Sequence, residues 1–290
     1  MFQGSIVALV TPMTKTGEVD IPRLKKLVEF HIEQGTDAMV VNGTTGESPT
    51  TTNTEKLKTL KTVLEVVAKR IPIIAGTGTY STKETIERTQ AAKELGVDAC
   101  ILVTPYYNKP TQEGLYQHYK AVAEAVSIPQ ILYNVPGRTS CDLLPETVKR
   151  LSTISNIVGL KDATGNLERA KALKEMNLSL TFFSGDDPTA LAFMLQLGKG
   201  VISITSNVAP KKMHEMCKEA ITGNFQRAGE INATLMALHK ALILEPNPIP
   251  VKWAMHKMGL IEGEIRLPLT SLSEKNQTAV EEAMKGAKIV

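Results

Sequence analysis

Short apolar runs rich in β-branched residues recur along the chain, and their starts lie about 20–35 residues apart, the length of one βα unit. Several runs are apolar at every position, which is typical of parallel strands buried on both faces. We predict strands at Ser5–Val10, Ala38–Val41, Ile71–Ala75, Ala99–Val103, Gln130–Tyr133, Ile157–Leu160, Leu180–Ser184 and Val201–Ile204.

The segments between the strands have the periodicity of amphipathic helices. The first helix is predicted to begin after Asp20 with Pro22 in its first turn, and the second after a capping box formed by Thr52 and Glu55. Three glycines each stand shortly before the next strand and mark helix ends: Gly35, Gly96 and Gly198.

Eight strand–helix units within residues 1–223 favour a closed (β/α)8 TIM barrel, because an open doubly wound sheet needs only about five to seven strands. The remaining residues have no strand pattern, and helices are predicted at Asn224–Leu244, Ile249–Met258 and Ser271–Lys288. We therefore predict an α/β protein with a catalytic barrel domain, residues 1–223, and a C-terminal α-helical domain, residues 224–290.

Composition and charge argue against several kinds of partner. Hydrophobic residues make up 42% of the chain and charged residues 22%, which is enough apolar material for a large core. The net charge of +3 is spread without runs, and aromatic residues amount to only 4%. A nucleic-acid surface or a basic membrane patch is therefore not expected.

Cysteines, histidines and the opening segment indicate the cellular compartment and argue against a metal centre or a targeting segment. The three cysteines form no C-x-x-C motif, and we expect a reducing, cytoplasmic compartment. The five histidines have no metal-ligand spacing, so no metal centre is predicted. The opening segment breaks at Pro12 after a short apolar run, and we interpret it as neither a signal peptide nor a membrane span.

Catalytic groups of a (β/α)8 barrel lie at the carboxyl ends of its strands, and there Lys161 is the most informative residue. It directly follows the segment Asn156–Leu160 and is expected at the barrel mouth with apolar walls below it. Partial burial disfavours a charged ammonium and leaves more free amine, which suits Schiff-base chemistry on a carbonyl substrate. The alternative is a strand-end lysine that reaches solvent or pairs with Asp162.

Other polar residues follow neighbouring strands. Tyr133 could shuttle a proton, or it could be a half-buried tyrosine with a satisfied hydroxyl. Thr44 and Thr45 could bind a small anion or simply form a turn before a helix. Arg138 could hold a carboxylate through two parallel hydrogen bonds, or it could be a surface charge. Three carboxylates without a neighbouring histidine are interpreted as capping and loop hydrogen-bond groups: Glu47, Asp186 and Asp187.

Three motifs together resemble the pyruvate-dependent class I aldolase superfamily, which includes N-acetylneuraminate lyase. They are Gly43-Thr-Thr-Gly-Glu-Ser48, Tyr133-Asn-Val-Pro-Gly-Arg-Thr139 and Gly159-Leu-Lys-Asp162. Within the superfamily the chain is most similar to the dihydrodipicolinate synthase family, of which the arginine after Tyr-Asn-Val-Pro-Gly is the more specific mark. The resemblance extends over essentially the whole chain, from Gly4–Pro12 to Arg266–Leu269.

The resemblance implies condensation of pyruvate with L-aspartate 4-semialdehyde, in diaminopimelate and lysine biosynthesis. It implies that Lys161 forms an imine with pyruvate and that Arg138 binds the carboxylate of the aldehyde. The implied proton relay consists of Tyr133, Thr44 and Tyr107. The implied contacts of the pyruvate carboxylate are Thr45 and the backbone at Ile202, with Gly185 close by.

In the family the tyrosine that matches Tyr107 comes from a neighbouring subunit. A homo-oligomer is therefore implied, a dimer at least and commonly a tetramer built as a dimer of dimers. The implied chemistry moves protons around a lysine imine and uses no metal or organic cofactor.

Many members of the family are inhibited by lysine, bound in a cleft between subunits. The positions that line it map to Ser48, Pro49, Thr51, Asn53, Lys56, Tyr80, Glu84 and Tyr106. Lysine-sensitive bacterial relatives often carry His at the positions of Asn53 and Lys56, and Asn at that of Tyr80. Because a cationic Lys56 repels a cationic effector and Tyr80 crowds the cleft, we predict weak or absent inhibition.

Two other functions remain open from the sequence. Another lyase or aldolase of the superfamily, such as an N-acetylneuraminate lyase, would share Lys161 and Tyr133. It would need a pocket for a polyhydroxylated chain, against which Arg138 argues. A non-catalytic oxo-acid sensor on the same barrel would be favoured if Lys161 or Tyr133 were missing, and both are present.

Overall fold

In a computed structural model, which describes residues 2–290, the chain forms a closed barrel of eight parallel strands. The strands follow one another around the barrel in chain order, and the first pairs with the eighth to close it. The predicted (β/α)8 fold is thereby confirmed. The strand bounds are β1 Gly4–Ala8, β2 Ala38–Val41, β3 Ile73–Gly76, β4 Ala99–Val103, β5 Gln130–Asn134, β6 Ile157–Asp162, β7 Thr181–Ser184 and β8 Gly200–Ser203.

Helices follow the strands and continue after the barrel closes. Their bounds are α1 Ile21–Glu33, α2 Asn53–Val67, α3 Thr82–Leu95, α4 Gln112–Ala125, α5 Pro136–Thr139, α6 Pro145–Leu151, α7 Leu167–Glu175, α8 Ala190–Gln196, α9 Pro210–Ile221, α10 Phe225–Ala241, α11 Ile249–Lys257 and α12 Glu274–Gly286. Short 3₁₀ helices lie at Asp187–Thr189 and Thr205–Asn207. Within residues 2–290, none of the helices is long and apolar enough to cross a membrane.

The predicted starts of the first two helices are confirmed, whereas α12 begins at Glu274 rather than at Ser271. The Asp20 side chain caps α1 by accepting a hydrogen bond from the backbone N–H of Arg23 at 3.0 Å, and a proline stands in the first turn. At α2, Thr52 and Glu55 form the capping box in both directions. These contacts satisfy N–H groups that have no partner inside the helix.

Several element ends differ from the sequence prediction. Strand β1 ends at Ala8 rather than Val10, because the backbone N–H of Val10 donates to the Asn207 side chain at 3.1 Å instead of to a neighbouring strand. Helix α10 ends at Ala241 rather than Leu244. The prolines that follow at positions 246 and 248 disfavour helical backbone in the residue before each of them.

Two hydrophobic clusters make up the core. One fills the barrel interior with side chains such as Ile6, Ile74 and Phe183. The other lies between the strands and the helices around them, and it continues without a break into the C-terminal helices through side chains such as Leu235 and Met284. Helix α10 packs on α9 and α12. The division into two domains at residues 223 and 224 stays a prediction.

Candidate active site

A cavity of about 450 Å³ opens at the carboxyl ends of the barrel strands. Six of the eight residues assigned to catalysis and substrate binding line it: Thr44, Thr45, Tyr133, Arg138, Lys161 and Gly185. They come from the ends of four strands, β2, β5, β6 and β7, so the closure of the barrel is what brings them together. The C-terminal segment 243–247 completes the wall.

Lys161 lies at this cavity beside Tyr133. The two residues are partners in the register between β5 and β6, and the Lys161 Nζ lies 4.2 Å from the centroid of the tyrosine ring. Lys161 is only 7% exposed, as expected for an amine with apolar walls. The alternative pairing with Asp162 is not formed, because that carboxylate pairs with Arg169 at 2.8 Å. Successive side chains point to opposite faces of a strand, which separates the two.

Gly185 provides the space in which the Lys161 side chain lies. A Cβ atom at this position would lie 2.8 Å from Cε of Lys161 and 2.7 Å from Cβ of Ala163. Separations this short are not tolerated between carbon atoms, so any side chain at position 185 would displace the lysine stem. The glycine is therefore a steric requirement of the lysine position.

The loop that carries Thr44 and Thr45 is a tight turn after β2. The backbone N–H of Gly46 donates to the carbonyl of Gly43 at 3.1 Å, and Glu47 adopts a positive φ of 58°. The turn interpretation of the sequence therefore holds. Both threonines also line the cavity.

A buried ion pair lies behind this loop and was not predicted from the sequence. The Glu47 Oε1 and Lys252 Nζ atoms are 2.5 Å apart, and each side chain is 1% exposed. Glu47 also accepts from the backbone N–H of Arg266 at 3.0 Å, and Lys252 donates to the carbonyl of Thr11 at 3.2 Å. Burial lowers the pKa of Lys252, and the neighbouring carboxylate opposes that shift. The sequence signal was a single charge within the otherwise apolar start of α11.

Asp186 and Asp187 accept hydrogen bonds from loop and cap N–H groups, as predicted. Asp186 accepts from the backbone N–H of Thr189 at 3.2 Å and caps the first 3₁₀ helix. Asp187 accepts from the backbone N–H groups of Ile204 and Thr205, each at 2.9 Å, and so fixes the turn after β8. Among residues 2–290, no group of three or more histidine, cysteine or acidic side chains is arranged to hold a metal ion.

Asn247, which no sequence motif marks as a site residue, connects two walls of the cavity. Its side-chain Nδ2 donates to Thr45 Oγ1 at 2.9 Å, and its backbone carbonyl oxygen accepts from Arg138 Nη2 at 3.2 Å. The available signal was its place between prolines in a segment too rich in proline for a helix. Arg138 is exposed, and its hydrogen bond to the Asn247 backbone restrains the guanidinium group.

Two residues assigned by resemblance lie outside the cavity lining of this single chain. Tyr107 is 92% exposed on the loop after β4 and has a positive φ of 75°. Ile202 is buried in the barrel interior, and Ile204, two residues further on, lines the cavity instead.

The positions assigned to a regulatory cleft are distributed over three places. Asn53, Lys56 and Glu84 line a second cavity of about 200 Å³. Tyr80 and Tyr106 meet edge to face with ring centroids 5.3 Å apart. Ser48 lines the cavity that contains Lys161, and its neighbour Pro49 is exposed.

Lys56 is buried, and its ammonium donates to the carbonyl of Thr51. Burial, assisted by the positive charge of Arg88, lowers the pKa of Lys56 to about 8. Arg88 in turn pairs with Glu84 at 2.5 Å. The cavity of about 200 Å³ is therefore lined by two basic side chains, Lys56 and Arg88, and by the Glu84 carboxylate that is paired with Arg88.

A buried lysine beside a tyrosine at the mouth of a (β/α)8 barrel, with hydroxyl and guanidinium donors around the same cavity, defines the class I aldolase type of site. Comparison with known proteins identifies the family within this class. The chain belongs to the dihydrodipicolinate synthetase family, whose profile matches residues 1–287.

Curated relatives and solved structures match over the full length. The chain is 58% identical to the 4-hydroxy-tetrahydrodipicolinate synthase of Methylococcus capsulatus, with 100% of both chains covered. It is 59% identical to the same enzyme of Thioalkalivibrio sulfidiphilus, covering 100% of this chain and 99% of that one. The chloride-inhibited dihydrodipicolinate synthase from Acinetobacter baumannii, complexed with pyruvate, is similar at 57% identity, with a TM-score of 0.99 and 100% of both chains covered. The Aquifex aeolicus synthase gives 46% identity and a TM-score of 0.97 over 99% of each chain.

Proposed function

We infer that the protein is a 4-hydroxy-tetrahydrodipicolinate synthase, a lyase that condenses pyruvate with L-aspartate 4-semialdehyde in diaminopimelate and lysine biosynthesis. The observation that carries this inference is that the buried Lys161 lies against the Tyr133 ring at the cavity, in a chain 58% and 59% identical over its full length to two curated enzymes of that name. The presence of Arg138 in the same cavity supports an acceptor that bears a carboxylate.

The proposed mechanism begins at Lys161. Its neutral amine attacks the ketone carbon of pyruvate, and loss of water gives an imine. Removal of a methyl proton converts the imine to an enamine, whose carbon attacks the aldehyde of the second substrate. The amine of that substrate then attacks the imine carbon, which closes the ring and releases the lysine. Tyr133, Thr44 and Tyr107 are the proposed proton relay.

The two substrate carboxylates are assigned to different walls of the cavity. Thr45 and the backbone at Ile202 are proposed to hold the pyruvate carboxylate, with Gly185 leaving room for the lysine stem. Arg138 is proposed to bind the carboxylate of the aldehyde. The imine itself serves as the electron sink, so the proposed reaction requires no metal or organic cofactor.

We propose that the enzyme works as a homo-oligomer, at least a dimer and with a dimer of dimers as the full assembly. The support is Tyr107, whose 92% exposure leaves it free to enter the site of a neighbouring subunit. We place the enzyme in the cytoplasm, since its three cysteines are free and buried, as suits a reducing compartment.

The decisive assay for this function uses both substrates. Incubation with pyruvate and L-aspartate 4-semialdehyde should consume them one to one and yield the cyclic product by mass spectrometry. The control is N-acetylneuraminate, which should not be cleaved. Cleavage of that sugar without condensation would assign the chain to another lyase of the superfamily.

A further inference from the structure

Asn247 contacts two residues that come from distant parts of the barrel. It lies between α10 and α11, in the C-terminal helical part, and it is only 7% exposed. Its side chain donates to Thr45 Oγ1 at 2.9 Å, and its backbone carbonyl accepts from Arg138 Nη2 at 3.2 Å. All three residues line the same cavity.

Both contacts leave hydrogen-bond donors available for a ligand. A threonine hydroxyl has one hydrogen to donate and two lone pairs to accept with. Because Asn247 acts as the donor toward Thr45, the hydroxyl hydrogen is not used in that contact and can point at an anion. Arg138 uses one of its five N–H donors on the Asn247 carbonyl, which restrains the guanidinium plane and leaves the others for a carboxylate.

We propose that Asn247 is a positioning residue for both substrates, in which the side-chain amide reserves the Thr45 hydroxyl for the pyruvate carboxylate and the backbone carbonyl oxygen orients Arg138 toward the second carboxylate. This inference rests on the proposed function, because its two anions are the two substrates. It also makes the C-terminal helical part a direct contributor to substrate recognition.

If Asn247 only fills space, its variants should rank in a different order. Aspartate has the shape of asparagine, so if only packing mattered, Asn247→Asp would be milder than Asn247→Ala. If the amide acts as a donor, the order reverses. An aspartate would accept the Thr45 hydroxyl hydrogen and would place a negative charge near both carboxylate sites. Within residues 2–290 the Asn247 Oδ1 has no donor, so the Nδ2–Thr45 hydrogen bond is the contact that the side-chain variants remove.

The test measures KM for pyruvate and kcat in Asn247→Ala, Asn247→Asp and a matched control. Asn166→Asp is the control, because Asn166 is exposed and caps α7, where aspartate caps equally well. Loss of one neutral hydrogen bond should raise KM about fivefold in Asn247→Ala, and the added charge should raise it about 20-fold or more in Asn247→Asp. In a Thr45→Val background, Asn247→Ala should raise KM no further.

Each outcome decides between the two explanations. A KM rise in Asn247→Ala that disappears in the Thr45→Val background, with a still larger rise in Asn247→Asp and none in Asn166→Asp, supports the proposal. An aspartate variant as good as or better than the alanine variant would overturn it. Borohydride trapping of pyruvate on Lys161 in the unmodified enzyme distinguishes failure of the Asn247 proposal from failure of the proposed function. If trapping and condensation occur but the order of the variants is wrong, this inference alone fails, whereas absence of both removes the proposed function as well.

Discussion

The buried pair of Glu47 and Lys252 gives the sharpest stability prediction. In Lys252→Met the stem is replaced by a side chain of similar length, but the Glu47 carboxylate keeps only the backbone N–H of Arg266 as a donor. At an effective dielectric constant of about 20, unit charges 2.5 Å apart attract each other by about 6–7 kcal/mol, part of which is offset by their lost hydration. Removal of one partner from a buried pair typically costs about 3–5 kcal/mol, and we expect that loss here.

The assay is urea denaturation of four proteins: the unmodified enzyme, Lys252→Met, Glu47→Gln and the double variant. Because the double variant leaves no uncompensated buried charge, it should regain most of the free energy of unfolding lost in Lys252→Met. The amide oxygen introduced by Glu47→Gln would still accept from the Arg266 backbone N–H. If the double variant is as unstable as Lys252→Met, the loss comes from packing of the lysine stem, and the electrostatic reasoning is refuted.

Three further predictions concern other parts of the molecule. Gly185→Ala should abolish imine formation while the fold is kept by circular dichroism, because the added Cβ takes the place of the Lys161 stem; normal borohydride trapping would contradict this. Burial lowers the pKa of His31 to about 3 and of His118 to about 4, from 6.5. The unfolded chain therefore binds more protons than the folded protein below pH 6.5, and the free energy of unfolding should fall as the pH is lowered from 6.5 toward 4. The fall should be less steep in His118→Gln. If urea denaturation gives the same pH dependence for this variant and the unmodified enzyme, the prediction is wrong. At pH 7, below the lowered pKa of Lys56 of about 8, that side chain is mostly charged and should repel lysine. Lysine below about 1 mM should therefore leave the rate nearly unchanged, and half-inhibition in that range, a binding free energy of about −4 kcal/mol or stronger, would refute this.

The fold could be predicted because parallel strands buried on both faces leave a strong pattern. Runs such as Ala38–Val41 and Ala99–Val103 match the structure at both ends. Ends were less predictable where a side chain takes over a backbone partner, as Asn207 does for Val10. No local pattern indicates a contact with a residue so far along the chain.

The same limit applies to the candidate site. Lys161, Tyr133 and the residues of the other strand ends were predictable, because the barrel collects the carboxyl ends of its strands at one face. Lys252 and Asn247 were not, since each acts on a residue more than 200 positions earlier. Their roles depend on how the C-terminal helices pack against the barrel, which no motif encodes.

The central claim is that Lys161 is the nucleophile, and borohydride reduction in the presence of pyruvate tests it most directly. The experiment compares the unmodified enzyme with Lys161→Met and with a control, Lys83→Met. Lys83 lies on α3, and its side chain is 88% exposed. We predict one carboxyethyl group per chain, mapped by peptide analysis to Lys161, in the unmodified enzyme and in Lys83→Met. Lys161→Met should take up none. A folded, unmodified enzyme that acquires no adduct, or an adduct on another lysine, would contradict the account.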